Sequence, residues 1–112
     1  MSDCIFCKIA GGTIPVNKVY EDDRFVVFPD ISPLYKTHLL IVPKRHIASV
    51  NDVDAAGNEA LAGIFAVAKA AAEKVGVAAG GYRLTVNTGG HAGQVVMHFH
   101  MHLLAGEPLK PL

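Results

Sequence analysis

Residues 98–104 read His98-Phe99-His100-Met101-His102-Leu103-Leu104, a strict alternation of imidazole and apolar side chains that ends in two leucines. Side chains of an extended chain point to opposite faces at every second residue. The spacing therefore places His98, His100 and His102 on one face at intervals of about 6.6 Å, with Phe99, Met101 and Leu103 on the other. The apolar trio reads as packing into a core and the imidazoles as lining a site. A purely structural strand would mix Thr, Ser, Lys and Glu on its polar face, whereas half of the six histidines of this chain stand in this one row. Two chemistries suit the row: zinc binding through two imidazoles of a His-x-His pair, and nucleophilic attack by an imidazole.

The stretch just upstream weighs between them. Asn87-Thr88-Gly89-Gly90-His91-Ala92-Gly93-Gln94 supplies mobile backbone and amide donors directly before the histidines, and such N–H groups cradle phosphate oxygens. Here His91 reads as an exposed loop residue. Loop and row together favour a phosphoryl or nucleotidyl substrate, with an imidazole attacking phosphorus and neighbouring donors stabilising the equatorial oxygens. No Walker A signature, Gly-x-Gly-x-x-Gly or carboxylate pair offers a rival centre.

Farther out, Lys18 to Glu21 and Arg24 to Phe28 are β-prone runs separated by the acidic turn Asp22-Asp23, as in a hairpin. His38 to Val42 is a third strand, stopped by Pro43, and Tyr82 to Asn87 and Val95 to Ala105 are the fourth and fifth. Two prolines in Pro29-Asp30-Ile31-Ser32-Pro33 make that connection irregular but ordered. After the N-cap candidates Asn51 and Asp52, the residues Leu61, Ile64, Phe65, Ala68, Ala72 and Val75 recur at helical spacing up to Gly76, predicting one helix of about twenty residues. Its opposite face is mostly alanine and suits either solvent or another subunit. The fold class is α+β, a five-stranded, mostly antiparallel sheet with one long helix against it.

A chain of 112 residues without repeats or linkers suits a single domain, residues 1–112. Ten basic and ten acidic side chains cancel, which argues against a nucleic-acid partner. Hydrophobic residues reach 51% while charged ones fall to 18%, below the usual quarter or so, and this excess predicts a homodimer. The longest apolar stretch, Ala60 to Ala72, is interrupted by Lys69 well short of the roughly 18 residues of a membrane span. Nor does Met1-Ser2-Asp3-Cys4 begin a leader, so a cytoplasmic, membrane-free protein is expected. In that reducing compartment Cys4 and Cys7 are free thiols or metal ligands and not a disulfide.

With these residues in view, the chain resembles the histidine triad (HIT) family, whose signature alternates three histidines with apolar residues and ends in two of them. The resemblance extends to Cys-Ile-Phe-Cys-Lys-Ile at 4–9, Ile-Pro at 14–15, Glu-Asp-Asp-Arg at 21–24, Asp-Ile-Ser-Pro at 30–33, Thr-His-Leu-Leu-Ile-Val-Pro-Lys-Arg-His at 37–46 and Gly-Tyr-Arg-Leu-Thr-Val-Asn at 81–87. Within the family it is most similar to the Hint-type purine nucleoside phosphoramidases.

The resemblance implies a short N-terminal helix, a homodimer and a purine nucleotide substrate cleaved at the α-phosphorus. By the same resemblance His100 is the nucleophile that forms a nucleotidyl-histidine, and His102 contacts the phosphate and assists the leaving group. His98 and His38 support them. Asn87, Gly93, Gln94 and Val95 line the phosphate, Asp30 takes the ribose hydroxyls, and Phe6, Ile9, Ile14, Phe28 and Ile31 form the slot for the base. Hint-type enzymes often carry a serine where this chain has Val95, and that hydroxyl is missing here. Some relatives hold a structural zinc through the positions matching Cys4, Cys7, His46 and His98, a chemically sound Cys₂His₂ set; two plain thiols are the alternative. No cofactor is required for the chemistry itself. A dinucleoside polyphosphate hydrolase, or a non-enzymatic nucleotide- or zinc-binding regulator, would share the same residues.

Overall fold

The computed structural model describes residues 3–112, so Met1 and Ser2, on which part of the leader reading falls, lie outside the described residues. In chain order the elements are α1 (Ile5–Ala10), β1 (Tyr20–Glu21), β2 (Phe25–Pro29), β3 (Thr37–Pro43), α2 (Ala55–Ala60), α3 (Ile64–Lys74), β4 (Tyr82–Thr85) and β5 (Met101–Ala105). The strands form one sheet in the order β1-β2-β3-β5-β4, and each neighbouring pair is antiparallel. The five-stranded antiparallel sheet and the short N-terminal helix are as expected, and the long helix is present but bent.

The acidic turn closes the first hairpin. One oxygen of Asp22 accepts the N–H groups of Arg24 and Phe25, each at 2.7 Å, and its other oxygen accepts the Tyr20 hydroxyl at 2.7 Å. An aspartate bonded to its own following backbone is a turn in itself.

β2 and β3 read as continuous apolar runs because both faces of the sheet are covered. Phe25, Val27, Leu39 and Ile41 point to one side, where Met101, Leu103 and the α3 residues Ile64, Val67, Ala68, Ala71 and Ala72 complete the larger core. Val26, Phe28, Leu40 and Val42 point to the other and meet Phe6 and Ile9 of α1. His102 pairs in register with Leu40 and so belongs to the α1 side.

The helical region departs from the expectation of one helix capped at Asn51 or Asp52. Residues Val50–Asp52 form a single 3₁₀ turn capped by Ser49, and Asp54 caps α2 by accepting the Gly57 N–H at 2.7 Å. Gly63, at φ +84°, then separates α2 from α3. A left-handed residue cannot continue a right-handed helix, so the axis bends there. The bend shifts the phase of the buried stripe: Val67 and Ala71 enter the core, while Phe65 stands 68% exposed and Val75 37% exposed. The fifth strand is also shorter than Val95 to Ala105. Its expected first half is drawn away from the ladder, because the Phe99 N–H donates to the Ile47 carbonyl at 2.6 Å. The same shortening ends β4 at Thr85, paired with His102. Among the described residues no helix is long and apolar enough to cross a membrane.

Candidate active site and metal centre

On the α1 side of the sheet lies a cleft of about 470 Å³. Phe6 and Ile9 come from α1, Ile14 from the segment after it, Phe28 from β2, and Asp30 and Ile31 from the proline-bound connection. Asn87, Gly93, Val95, His100 and His102 close the opposite wall. Reasoning from sequence missed Ile5, Pro15, Val16, Pro29, Leu40 and Val96, which also line it. The signal that could have found Leu40 is the unbroken apolar run of β3, which implies a buried second face.

One expected site residue is placed elsewhere. Gln94 does not line the cleft: its side-chain amide donates to the carbonyls of Ala48 (2.8 Å) and Val96 (3.1 Å), its oxygen accepts the Gly89 N–H (2.9 Å), and its own N–H goes to Gly89. Each of its N–H donors thus has a protein acceptor. Its role here is to tie the glycine loop to the segment after β3. Val95, by contrast, stands 88% exposed at the rim of the cleft.

The histidines are sorted by the acceptors around them. His98 is fully buried and donates its Nε2–H to the Pro43 carbonyl at 2.8 Å, which leaves Nδ1 with a lone pair. His100 donates its Nδ1–H to the His98 carbonyl at 2.7 Å, which leaves Nε2 with the lone pair. Among the described residues no buried polar side-chain atom lacks a partner, so this unpaired Nε2 opens to the cleft. His38 accepts the Leu34 N–H at Nδ1 (3.1 Å), so its proton sits on Nε2, 2.8 Å from His102 Nδ1. His102 in turn must carry its proton on Nε2. Backbone groups thus fix the tautomers of His98, His100 and His38, and His38 in turn fixes that of His102.

Burial, reinforced by the neighbouring His100 and His38 and opposed by Asp30, lowers the His102 pKa to about 4. Burial lowers His38 as well, again against Asp30, and lowers His98. Neutral rings are the state in which one nitrogen attacks and another donates. The Phe6 ring stands edge-on to His100, with centroids 5.1 Å apart.

His98 turns out of this cleft and joins a second group. Its Nδ1 lies 3.3 Å from Cys4 Sγ, 3.5 Å from Cys7 Sγ and 3.2 Å from His46 Nδ1, and Cys7 Sγ lies 3.3 Å from His46 Nδ1. Zinc bonds of usual length would set tetrahedral edges of about 3.4 Å between nitrogens and about 3.6 Å between nitrogen and sulfur. The spacing fits those edges, and the Pro43 carbonyl holds His98 in the tautomer a ligand needs. These four residues can hold a metal ion. Burial and Cys4 raise the Cys7 thiol, a cost that a cation reverses. Asp30, His38 and His102 also cluster closely. There the Leu34 N–H occupies His38 Nδ1 and obliges Nε2 to keep its proton, so that trio holds a proton and not a metal.

Comparison with known proteins agrees with this geometry. The family model described as HIT domain matches residues 12–109. A purine nucleoside phosphoramidase of Escherichia coli K12 is 49% identical over 110 residues, covering 98% of this chain and 92% of that protein. The structure of a histidine triad protein from Clostridium difficile superposes with a TM-score of 0.95 at 42% identity, covering 100% of this chain and 97% of that one. A Zn-bound histidine triad family protein from Mycobacterium smegmatis reaches a TM-score of 0.78 at 30% identity, over 95% of this chain and 76% of that one. Fold, motif and sequence agree, and the chain belongs to the HIT family.

Proposed function

We propose that this protein hydrolyses purine nucleotide conjugates, nucleoside phosphoramidates foremost, at the α-phosphorus through a nucleotidyl-His100 intermediate. The observation that carries the reading is the His100 ring, anchored at Nδ1 by the His98 carbonyl with its Nε2 lone pair open to an apolar cleft. The 49% identical phosphoramidase supports the substrate class.

The nucleotide lies with its base among Phe6, Ile9, Ile14, Phe28 and Ile31 and its ribose hydroxyls on Asp30. Nε2 of His100 attacks phosphorus, a P–N bond forms, and the bond to the leaving group breaks. The leaving nitrogen, protonated from solvent, departs as the neutral amine, and the neutral His102 ring donates a hydrogen bond through Nε2–H to the lone pair that develops on it. Phosphate oxygens meet the Asn87 side chain and the N–H groups of Val95 and Val96, which donate to no protein acceptor among the described residues. Water then attacks phosphorus, a P–O bond forms, the P–N bond breaks, a proton passes to solvent and His100 is restored. Cys4, Cys7, His46 and His98 would hold a zinc ion, which would tie α1 to the histidine segment.

The chain acts as one domain and as a homodimer, and its two free thiols suit the reducing cytoplasm. Phe65, exposed on α3, marks the apolar surface that a second copy covers. Rapid acid or base quenching during turnover of an AMP-linked amine tests the mechanism. A mass increment of one nucleotidyl group on a His100 peptide is expected. Substitution His100→Asn abolishes the increment and lowers turnover roughly 10³-fold or more while nucleotide binding stays within a fewfold. Equal loss of binding and turnover, or turnover that survives, refutes the assignment.

A further inference from the structure

Gln94 is 5% exposed, and the partners of its carboxamide fix which way round that group sits. Oε1 accepts the Gly89 N–H at 2.9 Å, while Nε2 donates to the carbonyls of Ala48 at 2.8 Å and Val96 at 3.1 Å. A flipped amide would set an oxygen against two carbonyls. Gly89, at φ +82° and ψ 170° in a region that only glycine occupies readily, also accepts the Gln94 main-chain N–H at 3.1 Å. The two residues thus shut the neck of the glycine loop from both directions. The Val96 bond returns to the chain two residues on and closes 94–96 into a ring that contains the N–H groups of Val95 and Val96. The Ala48 bond fastens loop and ring to the segment after β3, beside Ile47, whose carbonyl accepts the Phe99 N–H.

Val95 and Val96 both line the cleft, and their N–H groups donate to no protein acceptor among the described residues. The peptide planes that carry these donors are tethered at both ends by one buried side chain. We propose that Gln94 is a positioning residue: without touching the nucleotide, it holds the Val95 and Val96 N–H groups ready for the oxygens of the α-phosphate, so that the phosphate meets donors already ordered by folding. The inference rests on the reading of those two N–H groups as phosphate contacts. It divides recognition in two. The base slot and Asp30 lie on other elements, and none of the Gln94 bonds reaches them, so base and ribose are bound independently of Gln94 and the phosphate through it.

The test uses the intact protein and two ligands, adenosine and AMP, which share base and ribose and differ by the phosphate. Gln94→Met keeps the length and neutrality of the side chain and removes its hydrogen bonds, so the ring at 94–96 opens with no charge brought near the phosphate. Adenosine affinity is expected to stay within about twofold of the parent while AMP affinity falls about tenfold or more. The single-turnover rate on an AMP-linked amine at saturation should fall as well, because the donors also orient phosphorus for attack. An AMP-to-adenosine affinity ratio equal to that of the parent overturns the proposal. Nitrogen-15 NMR of the parent reads the same point without a variant. Relative to adenosine, saturating AMP should move the Val95 and Val96 main-chain signals and leave the Gln94 side-chain amide in place and protected from solvent exchange. If the Gln94 amide moves and loses its protection, it is a direct ligand, and the positioning role is overturned while the phosphate site stands. If Val95 and Val96 do not respond to the phosphate, the contact reading and the proposal fall together.

Discussion

The side chain of His98 faces Cys4 and Cys7 while its main-chain carbonyl accepts the His100 Nδ1–H at 2.7 Å. One residue thus joins the group that can hold a metal through its ring and orients the proposed nucleophile through its backbone. Whatever holds the ring also holds the carbonyl, so order at the cysteines is passed two residues along the chain to His100.

One zinc ion per chain is expected in protein purified without chelator. Substitution of both cysteines (Cys4→Ser, Cys7→Ser) should remove the metal and lower Tm by about 10 °C or more, since a change of 1 kcal/mol moves Tm by about 4 °C in a domain of this size. The surviving folded fraction should keep its chemistry. Zinc retained by the double variant, measured by plasma emission, would place the metal elsewhere.

Acid should destabilise the fold through the histidine pair. For His38 and His102 the folded pKa is lowered, chiefly by burial, so the unfolded chain binds more protons below the ordinary value of about 6.5. Their contribution is complete above that pH and is lost as pH falls from about 6.5 toward the folded His102 value of about 4. Denaturant midpoints measured across this window should fall with acid, and the slope should flatten in His102→Gln. An unchanged slope in that variant would assign the acid sensitivity to other groups.

Gly63→Ala separates two accounts of the helical region. In a continuous helix the change would stabilise by up to about 1 kcal/mol. At φ +84°, with open space where the new Cβ would lie, the cost is that of the backbone alone, and a loss of about 1–2 kcal/mol is expected. Chemical denaturation decides the sign.

Phe65→Glu should leave the fold of the chain intact, because the ring makes no part of the core, and should shift sedimentation from dimer to monomer. A parent that sediments as a monomer at micromolar concentration would remove the proposed interface altogether.

Much of this molecule is decided by local pattern. Alternation at 98–104 sorted the imidazoles from Phe99, Met101 and Leu103, and the observed core respects that division even though β5 begins only at Met101. Composition and turn residues were enough for an antiparallel α+β sheet, since Asp22 closes its hairpin through its own backbone neighbours. What the sequence could not decide depends on partners distant in the chain. Gln94 looked like a phosphate ligand because its amide has the right donors, and only the fold brings the Ala48 carbonyl to occupy them. Helix periodicity passed through Gly63, since glycine is allowed on either side of φ zero and the choice is made by how α3 must tilt to bury Val67 and Ala71. The histidine tautomers are settled by Pro43, Leu34 and the His98 carbonyl, brought within hydrogen-bond reach by strand register and the path of the loops. Residue type sets what a side chain can do; which proton it keeps is decided by the acceptors that tertiary structure places beside it.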